Sequence, residues 1–189
     1  MQKIVFVAGI HGVGKTYLCD RLSIELDVPR FSASKLISKQ KDYEFTNSKK
    51  VEQIQENQGF LIDAIHNYTE EFPAILLDGH FCLLNKEEGI ERLPEETFDK
   101  LNPVCILLKI EEVPIIADRL KERDGIDYDA DFLGDFQNSE IEYAREIAEK
   151  YSIPLLIHST DQNHEQLLGS LKMYLQKENE YDKNSTQTR

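Results

Sequence analysis

Residues 9–16 read Gly-Ile-His-Gly-Val-Gly-Lys-Thr, which fits the spacing G-x-x-x-x-G-K-[ST] at every constrained position. The stretch before it, 3–8 (KIVFVA), is apolar and β-branched, as a buried strand requires. The stretch after it repeats leucine at 18, 22 and 26, the stripe of a helix. A strand that turns through glycines into a helix presents several backbone N–H groups and a positive helix end to one point. An anion such as phosphate is the ligand that such a cradle holds. The cradle is expected to comprise Gly9, Gly12, Val13, Gly14, Lys15, Thr16 and Tyr17. Lys15 would neutralise the β- and γ-phosphates of a nucleotide, and the Thr16 hydroxyl would ligate Mg²⁺. His11 occupies a variable position of the loop and receives no catalytic role.

The rest of the chain repeats the same alternation. Apolar runs at 28–31, 73–78, 103–110 and 153–157 read as strands, and amphipathic stretches separate them. The runs are continuously apolar rather than alternating, so both faces of the sheet are covered. The expected fold is therefore a three-layer α/β domain with five parallel strands and helices on both faces. It spans residues 1–175 as one unit, followed by a polar tail, 176–189 (QKENEYDKNSTQTR). No repeat and no interdomain linker interrupt it.

Composition removes other classes. The 189 residues contain no apolar run of the roughly 20 residues that a membrane span needs. The start, MQKIVFVAGI, lacks the basic region and cleavage site of a signal peptide. Three cysteines, at 19, 82 and 105, suit reduced thiols in the cytoplasm, and their spacing suits no metal. A net charge of −13 argues against bulk nucleic-acid binding. Much of it is concentrated at 111–150, with 13 acidic and 5 basic side chains. A small nucleotide remains admissible, because a local cradle overrules the mean field.

The loop alone leaves several NTP-dependent activities open. No N-K-x-D segment is present, which disfavours a GTPase, and the run ending Leu77-Asp78-Gly79-His80 has no Glu beside its Asp. Four features together resemble the adenylate-kinase-like nucleoside monophosphate kinases. They are the phosphate loop at the start of a short chain, the stretch Phe31-Ser32-Ala33-Ser34-Lys35-Leu36-Ile37, the Asp78-Gly79-His80 segment, and Arg119-Leu120-Lys121-Glu122-Arg123. Phe81-Cys82 stand where that family carries Pro-Arg, and the segment 124–135 is short and without arginine, as in the short-lid, archaeal-type branch. The resemblance implies an ATP-dependent phosphotransferase with acceptor-binding helices at 32–70 and a lid at 119–136. Its acceptor would be a nucleoside monophosphate or a similar small molecule.

Individual residues take roles on that reading. Arg119 and Arg123 lie four apart on one helix face and would clamp the transferring phosphoryl group. Asp78 ends a buried strand, where open parallel sheets bind ligands. It would accept the substrate hydroxyl proton or hold a Mg²⁺-bound water. Ser32, Ser34, Lys35, Gln53, Asn57, His80 and Arg145 are the acceptor-site candidates. Two other readings stand beside this one. One is an ATP-binding or ATPase module acting on a protein or RNP partner, with the helix at 51–65 as a possible contact surface. The other is a kinase for a non-nucleotide metabolite.

Overall fold

The structure, a computed structural model, describes residues 2–45, 54–85 and 89–176, with side chains other than those of 42–45 and 54–58. The element order is β1 (Lys3–Ala8), α1 (Lys15–Leu26), β2 (Arg30–Ser32), α2 (Ala33–Phe45), α3 (Ile54–Thr69), β3 (Ala74–Asp78), β4 (Cys82–Leu84) and β5 (Ile90–Arg92). It continues with α4 (Glu95–Leu101), β6 (Cys105–Lys109), α5 (Val113–Asp124), α6 (Ala130–Lys150), β7 (Leu155–His158) and α7 (His164–Gln176). Five strands form one parallel sheet in the order β2-β3-β1-β6-β7. The five-stranded α/β architecture expected from the sequence is the one observed. The central strand β1 shows why its sequence carries no polar alternation. Ile4, Phe6 and Ala8 pack into the larger core with α2–α6, while Val5 and Val7 pack into a second core with Leu18, Leu22, Leu167 and Leu171 of α1 and α7. A strand buried on both faces needs apolar side chains at every position.

Register places the chemistry. Val7 of β1 is opposite Asp78 of β3, so the carboxylate leaves the sheet level with the start of the phosphate loop. Both lie at carboxyl ends of strands, where parallel sheets open a crevice.

Three segments differ from the expectation. Within 79–94, read as irregular, β4 and β5 form an antiparallel hairpin pairing Cys82 with Arg92 and Leu84 with Ile90. Strands of three residues are too short to show a period. The segment 124–135, which reads as an acidic stretch with two glycines between helices, is helical from Ala130 onward. Gly125, at φ +70°, caps α5 by donating its N–H to Lys121, and Asp129 caps α6 by accepting from the Phe132 N–H. Only residues 125–129 lie between the two helices. The acidic residues of 129–135 masked the start of the α6 stripe, which runs through Leu133 and Phe136. Finally, α2 continues to Phe45, although 42–48 reads as loop. The tail from 177 onward lies outside the described residues. Among those described, no helix is long and apolar enough to cross a membrane, and no group of three His, Cys, Asp or Glu side chains is placed to hold a metal ion.

Candidate active site

The phosphate loop follows β1 and ends at Gly14, which caps α1. Glycine is obligatory at two of its positions. Gly9 has φ +140°, and a Cβ there would stand 2.3 Å from the Lys109 carbonyl oxygen. Gly12 has φ +84°, and its Cβ would meet Leu120 Cγ at 2.9 Å. Val13 is buried and anchors the loop to the core. Lys15 opens α1 and is itself buried, with Nζ donating to the carbonyls of Gly9 at 2.5 Å and Ile10 at 3.3 Å. Burial lowers its pKa, and the Asp78 and Glu140 carboxylates oppose that shift. An ammonium held over the loop carbonyls of Gly9 and Ile10, with a hydroxyl one residue on at Thr16, is a set of groups that fits a triphosphate and its Mg²⁺.

A cavity of about 480 Å³ opens beside the loop. Lys15, Thr16, Asp78, His80, Arg119 and Arg123 all line it. Ser32 and Ser34 also line it, with their hydroxyls 3.0 Å apart. Burial raises the pKa of Asp78, against the pull of Lys15 and Arg30. The rings of His11 and His80 lie 4.6 Å apart. Burial holds His80 neutral, well below the usual histidine range, and Lys15 and His11 add to this.

The two arginines approach from α5. Arg119 donates to the Gly12 carbonyl at 3.3 Å and to Glu111 at 3.4 Å, which holds its guanidinium over the phosphate loop. Glu111 is a buried anchor, also bonded by Thr160 and Lys109. Arg123 pairs with Asp124 through two hydrogen bonds of 2.6 Å, and the Tyr128 hydroxyl donates to the same carboxylate.

Behind the site lies Glu140 of α6, 1% exposed. Its carboxylate accepts the N–H groups of Gly9 at 3.0 Å, Phe81 at 2.9 Å and Cys82 at 2.7 Å. It therefore ties the phosphate loop, the segment after β3 and α6 to one point. Burial raises its pKa, and the three N–H donors and Lys15 counter the shift.

Comparison with known proteins identifies the frame. The AAA domain family matches residues 8–132, from the last residue of β1 into α6. The chain belongs to this AAA domain family. No curated protein matches it. Among solved structures, a gluconokinase from Sinorhizobium meliloti 1021 is 11% identical, with TM-score 0.51 over 92% of this chain and 91% of that one. An uncharacterized protein from Eubacterium ventriosum ATCC 27560 is 14% identical, with TM-score 0.51 over 94% and 100%. A sugar kinase from Janibacter sp. HTCC2649 is 18% identical, with TM-score 0.50 over 93% and 95%. At such identities the likeness is one of fold.

The AAA domain brings together most of the residues singled out in the sequence. Gly12, Gly14, Lys15, Thr16, Ser32, Ser34, Asp78, His80, Arg119 and Arg123 line one cavity. Other candidates fall elsewhere. Tyr17 is 76% exposed and is not among the cavity walls. Lys35 is absent from those walls and borders an adjoining hollow, which shares Ser32 with the cavity, beside Lys39 and Tyr68. Arg145 is exposed on α6 and is also absent from those walls, because the buried stripe of that helix runs through its neighbours Tyr143, Ala144 and Ile147. Asn57 lies on α3 with its side chain outside the description, and Gln53 lies outside the described residues. Two residues escaped the sequence reading. Thr97 is a buried wall of the cavity, and Glu140 lies beyond the family match. Glu140 carried one signal, a lone carboxylate on the apolar stripe of α6.

Proposed function

We propose that this AAA domain protein is an ATP-dependent phosphotransferase acting on a small acceptor. The observation that carries the reading is the convergence of Lys15, Thr16, Asp78, Arg119 and Arg123 on one cavity. Phosphoryl transfer needs positioning and charge neutralisation above all, and these residues supply both. The loop N–H groups and Lys15 would hold the β- and γ-phosphates. Mg²⁺ at Thr16 would neutralise charge on the same phosphates. Arg119, fixed by Glu111 and Gly12, would point at the transferring group. Arg123 would join it on leaving Asp124, closing the clamp on α5. Asp78, with its pKa raised by burial, would orient the acceptor hydroxyl and take its proton.

The resemblance to nucleoside monophosphate kinases implies a nucleotide acceptor. A gluconokinase and a sugar kinase among the structural neighbours favour testing alcohols beside it. The test is ADP formation with purified protein, ATP and Mg²⁺ against a panel of both classes. One acceptor should stimulate turnover at least tenfold, and Lys15→Ala should abolish it. Equal ATP consumption with and without every acceptor would reject the phosphotransferase.

A further inference from the structure

The cavity is asymmetric in its chemistry. Its cations are Lys15, Arg119 and Arg123, all on the side of the phosphate loop and α5. Arg119 is bonded to the loop itself through Gly12. The opposite walls come from β1, α2, α3, the β4–β5 hairpin and α4. They contribute Phe6, Ile37, Leu61, Leu83, Leu93 and Leu101, and no cation among the described residues. Among the described residues, a phosphate monoester placed there would meet leucine side chains in place of its hydration and no opposite charge. Desolvating an unpaired dianion in that way is strongly unfavourable.

Two buried polar atoms of cavity-lining residues have no partner, one on α4 among the apolar walls and one after β3 beside the phosphate loop. Thr97 Oγ1 and His80 Nδ1 are buried side-chain atoms without a hydrogen bond among the described residues. Thr97 is 3% exposed, and both residues line the cavity. The other ring nitrogen of His80 is accounted for. The ring bonds the Gly9 backbone, whose N–H is already donated to Glu140, so the carbonyl is the acceptor. Buried polar groups are nearly always satisfied, and an orphan is destabilising. A pair of orphans in the wall of a cavity fits a ligand that supplies the missing bonds. The Thr97 hydroxyl is itself buried, and a turn about its Cα–Cβ bond is what would bring it to such a ligand.

We propose that the acceptor is a phosphate-free alcohol with a compact, largely apolar carbon skeleton and a second hydrogen-bonding group. The skeleton packs on Phe6, Ile37, Leu61, Leu83, Leu93 and Leu101. Its reacting hydroxyl faces Asp78, and the second group bonds Thr97 Oγ1 and His80 Nδ1. In the transfer step the hydroxyl oxygen forms a bond to the γ-phosphorus of ATP. The bond from that phosphorus to the β–γ bridging oxygen breaks, and ADP leaves with the electron pair. The hydroxyl proton passes to the Asp78 carboxylate. This assignment rests on the phosphotransferase reading and narrows its acceptor.

The experiment uses matched pairs. Wild-type protein with ATP and Mg²⁺ is given nucleosides, cyclic diols and amino alcohols, each beside its own phosphate monoester. ADP formation stimulated at least tenfold by a member of the phosphate-free set, and by none of the monoesters, is the expected result. Stimulation by monoesters alone overturns the acceptor assignment and leaves the phosphotransferase standing. No stimulation by either set overturns both. With the active alcohol, Thr97→Val should raise its KM about tenfold, leave the KM for ATP unchanged, and be rescued by Thr97→Ser. A second readout is independent of turnover. Because valine removes an orphaned hydroxyl, Thr97→Val should raise the Tm of the ligand-free protein by about 2 °C. An unchanged alcohol KM in a folded Thr97→Val protein refutes the role of that hydroxyl.

Discussion

Glu140 lies on the face of α6 that otherwise buries Phe136, Tyr143, Ala144 and Ile147. A carboxylate among such neighbours is tolerated only when its lone pairs are filled. Three backbone N–H groups fill them. Glu140→Gln keeps the shape but points an amide N–H at one of those donors. It should destabilise the fold by about 1–3 kcal/mol, read from urea midpoints at constant m. It should also weaken ATP binding, because one of the three donors is Gly9. Unchanged stability and ATP affinity would show that the charge of Glu140 is dispensable. The contrast with the phosphate loop explains what the sequence discloses at this scale. The loop is legible because an anion cradle demands fixed residue types within eight positions. The partners of Glu140 lie 131, 59 and 58 residues away, so no local pattern announces them. Thr97 is hidden for the same reason, since its position in the cavity wall depends on where α4 meets the hairpin and the sheet.

At the scale of elements, α5 works on two faces. Ile116 and Leu120 are buried beneath Gly12, while Arg119 and Arg123 sit at the cavity. The four-residue spacing that suggested a shared clamp places both guanidiniums in the cavity wall, but with unequal restraint. Arg119 is bound to the loop and to Glu111, whereas Arg123 holds an exposed pair with Asp124. Exposed pairs contribute little, about 0–1 kcal/mol, so Arg123 is released at small cost. Arg123→Ala should therefore lower kcat at least tenfold with little change in the KM for ATP. Arg119→Ala should change both, since its guanidinium also supports the loop. Equal kcat for wild type and Arg123→Ala would remove Arg123 from the transfer step. The existence of α5 and α6 was readable from their stripes, but their junction was not. The acidic stretch 124–135 hid where the second helix begins, and the Asp129 cap and the Gly125 turn leave five residues between the two.

At the scale of the molecule, five apolar runs disclosed a parallel sheet, but not the order β2-β3-β1-β6-β7, which depends on pairings between distant segments. Titration also acts at this scale. Burial lowers the pKa of His158, and Lys109 and His164 act in the same direction. His80 and His11 shift the same way, again chiefly through burial. Above the unfolded value of about 6.5 such a histidine is neutral in both states and adds nothing. As pH falls through that value the unfolded chain takes up a proton that the folded chain resists, so stability declines. Asp78 and Glu140, both raised by burial, carry the opposite sign and weaken the fold as pH rises through the carboxylate range. Urea midpoints between pH 5 and 7 should accordingly fall less steeply on acidification for His158→Gln than for wild type. Identical slopes would show that His158 titrates alike in both states. The pairing of Val7 with Asp78 has a further consequence. The phosphate loop and the carboxylate leave adjacent strands, whose spacing is the sheet repeat of about 4.8 Å. No hinge intervenes between them among the described residues, and on the phosphotransferase reading their alignment would be as durable as the backbone lattice: heat would extinguish it together with the fold rather than ahead of it.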